Sequence, residues 1–176
     1  MQDGVAVSAL PHHQRAALNA ATTALDNASK LAHKMVHAME HSGQQRSYLT
    51  KMVDTVRAIE PGATVLLPCA SGGMPILFAV KRDLPPDHDT CSFTVVNCDH
   101  RAMAFHRSSA QPPKMKLESA LEFVGVPLAR LADEAFWTVC WFQATAAPGG
   151  RLSPLQLLYQ VLVPFLTGDS LDQATL

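Results

Sequence analysis

Residues 63–106 read ATVLLPCASGGMPILFAVKRDLPPDHDTCSFTVVNCDHRAMAFH, and their pattern sets the architecture that we predict. Short runs rich in Val, Leu, Ile and Phe alternate with Gly, Pro, Asn and Asp, which is typical of β-strands joined by turns. The first two runs are nearly continuously apolar, which indicates strands covered on both faces. We therefore predict an antiparallel meander of strands at residues 64–68, 76–81, 92–97 and 102–106, with a tight hairpin turn at 98–101.

A helical hairpin is predicted before this meander. Residues 11–41 repeat apolar side chains at alternating steps of three and four, the a/d spacing of a helix that packs along another helix. A second helix is predicted at 47–59, with Ser47 as its N-cap. The members of the a/d seam in the first helix are Leu18, Ala21, Leu25, Ala28, Ala32, Met35 and Met39.

Two helices are predicted after the meander. Residues 117–126 fit both helical and strand periodicity, and we favour an extended segment there. Pro127 suits a first helical position and predicts a helix that continues to about residue 143. Ser153 is a plausible N-cap for the last helix, which Pro164 is expected to kink or end.

These elements predict an α+β fold in which a small antiparallel sheet of about four strands (63–106) is flanked by the helical hairpin (11–60) and two C-terminal helices (127–167). With 176 residues, of which 48% are hydrophobic, the chain is long enough to bury a core. We predict one domain over residues 1–176, with residues 1–10 flexible. We also expect the chain to be a segment of a larger protein.

Charge and composition restrict the classes of partner. Fourteen basic residues against fifteen acidic ones leave a net charge of -1, so no global field attracts nucleic acid. Proline interrupts the longest apolar runs before they reach the roughly 20 residues that span a membrane. The four cysteines have no CxxC spacing, which indicates reduced thiols in the cytoplasm. No cofactor motif is present, and we predict none.

The turn after the first strand offers one candidate for a nucleophile. Cys69 ends a predicted strand just before Gly72 and Gly73, whose backbone amides could stabilise an oxyanion. The surrounding residues match neither a GxSxG elbow nor a phosphate-binding loop. A buried structural cysteine is therefore the simpler interpretation of Cys69.

The following turn carries the candidate bases. Asn97, Asp99, His100 and His106 are close in sequence, and an acid or amide beside an imidazole can orient it for proton transfer. If the chain is a cysteine hydrolase, His100 or His106 would activate Cys69. Ordinary turn chemistry explains the same Asn and Asp residues, because their side chains bond to the local backbone.

Three histidines lie on one stripe of the first predicted helix. His33, His37 and His41 are four residues apart, a spacing from which two imidazoles can bind one metal ion. The stripe lies outside the a/d seam, and the sequence contains no HExxH motif. We therefore interpret it as a solvated face and predict no metal site.

Part of the meander resembles the second half of papain-like cysteine peptidases. A glycine that leads into an apolar strand corresponds to Gly73, and the asparagine that orients the catalytic histidine corresponds to Asn97. The histidine position falls on Met74 or Pro75, and no cysteine precedes Cys69. The resemblance thus implies a catalytically incomplete relative. Residues 64–166 also resemble domains of large protist proteins.

The sequence leaves two functional hypotheses. The first is a non-catalytic interaction or scaffold module that binds a protein partner, or associates with itself, through its helices. Its docking stripe would be the alanine and methionine seam of the first helix or the aromatic C-terminal helix with Trp137 and Trp141. The second is the cysteine hydrolase described above.

Overall fold

The computed structural model describes residues 11–41, 43–87, 89–106, 108–111, 114–145 and 151–168, with backbone alone for residues 103, 108–111 and 114–117. The prediction for residues 1–10 lies outside this part. The elements are α1 (His12–Glu40), α2 (Gln45–Arg57), β1 (Thr64–Ser71), β2 (Met74–Arg82), β3 (Thr90–Val96), a 3₁₀-helix (His100–Ala104), β4 (Ser108–Gln111), β5 (Lys114–Leu117), β6 (Ala120–Pro127), α3 (Leu128–Leu131), α4 (Glu134–Thr145), α5 (Pro154–Leu157), a π-helical turn (Leu158–Leu162) and α6 (Val163–Thr167).

The predicted α+β class is confirmed. Strands β1, β2, β3 and β6 form a four-stranded antiparallel sheet in that order, and β4 pairs with β5 in a separate hairpin. The prediction of a fourth strand at 102–106 is wrong, and so is the hairpin turn at 98–101. The carboxylate of Asp99 accepts a hydrogen bond from the Arg101 amide and begins the 3₁₀-helix there. The fourth strand is β6, which overlaps the segment 117–126 that we favoured as extended. Pro127, predicted as a first helical residue, is extended and ends β6, and α3 begins at Leu128.

One face of the four-stranded sheet forms the core. The register places Leu67 opposite Phe78 and Phe78 opposite Val95, and all three side chains are fully buried. Phe93 and Phe136 continue this layer into the helices, with ring centroids 6.3 Å apart. The opposite face is half-buried or exposed along all four strands. The prediction that strands are covered on both faces is therefore wrong.

The first helix divides its predicted seam between the core and solvent. Of the seam residues, Ala28 and Met35 are buried, and α1 packs there mainly along β1, the edge strand of the sheet. Leu18, Leu25 and Met39 are exposed. A straight helix can present only part of so wide an apolar face to one neighbour.

The second helix forms close to where it was predicted, but Ser47 is not its N-cap. Helix α2 begins at Gln45, and the amide of Tyr48 donates to the carbonyl of Gln44, which puts Ser47 inside the first turn. The buried face of α2 packs against α4, so the two helical regions share one core.

The helix predicted from Pro127 to about residue 143 is divided in two. The Asp133 carboxylate accepts a hydrogen bond from the amide of Ala135, as an N-cap does, and α4 starts anew at that point. Ser153 caps α5 as predicted, in a reciprocal capping box with Gln156. The π-helical turn precedes Pro164, which has no amide hydrogen to donate to the turn before it.

Within the described ranges, no helix is long and apolar enough to cross a membrane.

Candidate functional site

The loop after β3 and the π-helical turn meet at one end of the sheet, where three buried polar side chains interact. Asn97 follows β3, His106 follows the 3₁₀-helix, and Tyr159 projects from the π-helical turn. Their exposed fractions are 0%, 5% and 0%. Burial of polar groups costs free energy unless they are hydrogen-bonded. These three side chains must therefore form hydrogen bonds with one another or with nearby backbone groups. We name these three residues the Tyr159 network.

Hydrogen bonds fix the tautomer of His106. Its Nδ1 lies 2.7 Å from the carbonyl oxygen of Glu118, which can only accept, so Nδ1 carries the proton. In the neutral imidazole Nε2 is then an acceptor, and the Tyr159 hydroxyl donates to it at 2.6 Å. The amide of Asn97 in turn donates to the Tyr159 oxygen at 3.5 Å. Both nitrogens of His106 are therefore occupied by groups of the protein itself.

The surroundings of Tyr159 keep its hydroxyl in the protonated, donating form. The ring of Phe105 stacks on it with centroids 4.7 Å apart and planes 12° from parallel. Burial raises the pKa of Tyr159 to about 12, although the hydrogen bond from Asn97 opposes this shift. The network thus ties the sheet to the last helical segment.

The other candidate base, His100, lies at the surface. Its side chain is 84% exposed, and its Nδ1 is 3.5 Å from the Asp99 carboxylate. Asp99 is bound mainly by Arg101, whose guanidinium donates to both carboxylate oxygens at 2.9 and 2.8 Å. Hydrogen bonds from the side chain and backbone of Arg101 hold the pKa of Asp99 well below its usual range. Asp99 therefore stabilises the local turn through Arg101, in addition to its contact with the imidazole of His100.

Cys69 lies in a different environment from the two imidazoles. Its thiol is buried and directed at the carbonyl of Ala70 at 3.6 Å, next to Cys140. Burial, followed by contact with the Cys69 thiol, raises the pKa of Cys140. The cavity beside Cys69 has a volume of about 10 Å³, too small for a substrate. Across the described residues, no hydrogen bond or ring contact joins Cys69 to His100 or His106.

Gly72 and Gly73 form the two-residue turn between β1 and β2. Their φ angles are 56° and 79°, the left-handed conformation that a type I′ hairpin turn requires at both positions. The amide of Gly72 donates to the carbonyl of Gln143 at 3.2 Å. A Cβ at Gly72 would lie only 2.9 Å from Pro154, so glycine is needed there for packing as well.

An open groove of about 790 Å³ lies against this turn. Gly72, Gly73, Arg101 and Phe105 line it, and so does the beginning of α5. The groove reaches the edge of the Tyr159 network through Phe105. Arg101 is already bound by Asp99, which leaves the groove without an uncompensated charge.

The two tryptophans predicted to bind a partner are core residues. Trp137 and Trp141 are 2% and 7% exposed. The indole nitrogen of Trp137 donates to the carbonyl of Leu131 at 2.7 Å, and the Trp141 ring lies 5.5 Å from that of Tyr48. On α4 the exposed aromatic residue is Phe142.

The histidine stripe does not assemble a metal site. His37 and His41 stack with centroids 4.1 Å apart, and the Nδ1 atoms of His33 and His41 bond to carbonyls one turn earlier. In the part of the chain that the structure describes, no group of three or more His, Cys, Asp or Glu residues is placed to hold a metal ion.

Sequence reasoning missed three features of the structure. Tyr159 reads as one more apolar residue of a helical stripe, although its hydroxyl completes the buried network. Ser71 and Gln143 have buried polar side-chain atoms without a hydrogen-bond partner in the described residues. Lysines from α1 and α2 also line one groove. The nearly neutral overall charge gives no indication of this local cluster of positive charge.

No protein-family model, curated protein sequence or solved structure matches this chain.

Proposed function

We propose that this chain is a non-catalytic protein-interaction module that associates with a second copy of itself through α1. The observation that carries the proposal is the exposure of apolar side chains along this helix. Leu18, Leu25 and Val36 are 42%, 58% and 54% exposed, and Met39 is 39% exposed. We name these four residues the exposed stripe.

The exposed stripe follows one side of the helix. With 3.6 residues per turn, Leu18, Leu25 and Val36 fall within about 20° of one line along the axis. Ala21 and Ala32 lie beside this line, and such small residues let a second helix approach closely. The stripe therefore has the shape of a helix-packing surface over roughly 30 Å.

The first part of α1 is not packed against other described residues of the chain. Residues 11–23 are exposed at every position. Most helical stability in proteins comes from packing of an apolar face, and short isolated helices are marginal in water. A second copy of α1 would supply that packing.

Charges favour an antiparallel arrangement of the two copies. Arg15 and Glu40 lie near opposite ends of α1 and about 20° apart around its axis. Antiparallel pairing therefore places Arg15 of one copy near Glu40 of the second. Neither side chain has an ion-pair partner among the residues that the structure describes.

Sedimentation equilibrium over a range of protein concentrations tests this proposal. We expect a reversible dimer in the native chain and a monomer in Leu25→Glu, because that charge lies in the middle of the exposed stripe. Leu84→Glu is the matched control, since Leu84 is 65% exposed and lies outside α1. A native chain that stays monomeric at every concentration, or a Leu84→Glu variant that dissociates equally, would refute self-association through the stripe.

The same proposal treats the sheet as a catalytically incomplete papain-like scaffold. Its support is that Met74 and Pro75, which take the place of the family's catalytic histidine, begin β2. We also propose a reducing, cytoplasmic setting, in keeping with four free thiols. The alternative cysteine hydrolase remains a prediction, and selective labelling of Cys69 would favour it.

A further inference from the structure

We propose that the groove between α1, α2 and β1 binds a small organic phosphate, a phosphate monoester attached to an apolar group. Lys30 and Lys34 enter this groove from α1, and Lys51 enters it from α2. We name it the lysine groove. Its volume of about 340 Å³ is within the range of small-molecule sites.

The three lysines of the lysine groove have no acidic partner within the groove itself. None of its lining residues is an aspartate or glutamate, and none of the three lysines forms an ion pair with the residues that the structure describes. Asp54 lies in the adjoining concavity, which shares Lys34 and Lys51. Three cations around one depression match the charge of about -1.5 to -2 on a phosphate monoester at neutral pH better than that of a single carboxylate.

The floor of the lysine groove is apolar. Leu31 is buried beneath it, and Val65 and Leu66 of the edge strand β1 are half-buried beside it. Thr55 and Asn27 add polar groups to the lining. A ligand that fits therefore has an anionic head near the lysines and an apolar body against β1, as in sites where a few polar groups orient an apolar ligand.

The position of this groove makes it independent of self-association. Lys30 and Lys34 lie more than a quarter turn from the line of the exposed stripe around the axis of α1. A second copy on the stripe would therefore leave the lysines accessible. Phosphate binding and dimerisation can then succeed or fail separately.

Isothermal titration with 1-naphthyl phosphate tests the proposal on the full chain. We expect saturable binding that weakens as the salt concentration rises, because exposed charges are screened. The double variant Lys34→Gln, Lys51→Gln should lose about tenfold in affinity, which corresponds to about 1.4 kcal/mol. Arg151→Gln, which removes an exposed positive charge just before α5 and away from the groove, should bind as the native chain does.

Two further ligands separate the parts of the site. We expect 1-naphthol, which lacks the phosphate, and inorganic phosphate, which lacks the apolar body, each to bind about tenfold more weakly than 1-naphthyl phosphate. Absence of saturable binding, full binding by the double variant, or equal binding of 1-naphthol would overturn the proposal. Equal binding of inorganic phosphate would also contradict it. Circular dichroism of each variant verifies that the exposed substitutions leave the fold intact.

Discussion

Removal of a single oxygen atom, by Tyr159→Phe, tests whether the Tyr159 network stabilises the fold. The substitution leaves the ring in place against Phe105 but deprives the Nε2 atom of His106 of its hydrogen-bond donor at 2.6 Å. It also removes the acceptor of the Asn97 amide. An unsatisfied buried polar group costs about 1–3 kcal/mol, so we expect a loss of about 2 kcal/mol in the free energy of unfolding.

The matched control is Tyr48→Phe. Tyr48 is also buried, at 7% exposure, but its hydroxyl has no hydrogen-bond partner among the described residues. The two variants lose the same atom from the same kind of ring. Because Tyr48→Phe breaks no hydrogen bond within the described residues, we expect it to change the free energy of unfolding by less than about 0.5 kcal/mol.

Thermal and urea denaturation, followed by circular dichroism, measure this difference. For a chain of this size about 2 kcal/mol lowers Tm by about 4–8 °C. Equal losses in Tyr159→Phe and Tyr48→Phe would refute the reasoning, because the network would then contribute no net stability.

Alkaline pH provides a second measurement of the same variant. Burial raises the pKa of Tyr159 to about 12 in the folded chain, from its ordinary value of about 10. The raised pKa contributes stability that is complete below about pH 10 and is lost as the pH rises through about 12, up to roughly 3 kcal/mol. The native chain should therefore lose stability more steeply than Tyr159→Phe over this interval. Parallel pH profiles would argue against a buried, neutral hydroxyl.

Three further substitutions test the thiols and the hairpin turn. With iodoacetamide at neutral pH we expect one adduct, on the exposed Cys98, which disappears in Cys98→Ser, while labelling of Cys69 in the native chain would contradict its burial. Gly72→Ala should destabilise the fold by about 1 kcal/mol more than Gly73→Ala, because the cost of positive φ is common to both positions but the added Cβ crowds Pro154 at Gly72 only. Equal losses from the two glycine variants, measured by urea denaturation, would show that this contact is relieved without cost.

The prediction from sequence succeeded where local chemistry decides the structure. Gly72 and Gly73 mark the turn between β1 and β2, because few other residues adopt left-handed conformations. Ser153 marks the start of α5, because its side chain satisfies an amide that the helix leaves free. Apolar runs between such signals identified three of the four strands of the sheet.

The candidate site was predicted less completely, because its contacts join distant segments. Asn97 and His106 were selected as polar residues near a turn, and the structure brings both to the hydroxyl of Tyr159. Cys69 was selected with them, but its neighbours come from the helices instead. No local pattern reveals which buried group a side chain meets more than fifty residues away.

The order of residues alone determined the first three strands, the turn at Gly72 and Gly73 and the start of α5 after Ser153, since capping, left-handed glycines and apolar runs act over a few residues. Only the folded chain decided that β6 completes the sheet, that four of the seven α1 seam residues stay exposed, and that Lys51 joins Lys30 and Lys34. Each of these outcomes depends on which apolar surfaces cover one another. The burial of apolar surface favours this arrangement. Because the surfaces belong to segments far apart in the sequence, no single segment determines which of them are buried together.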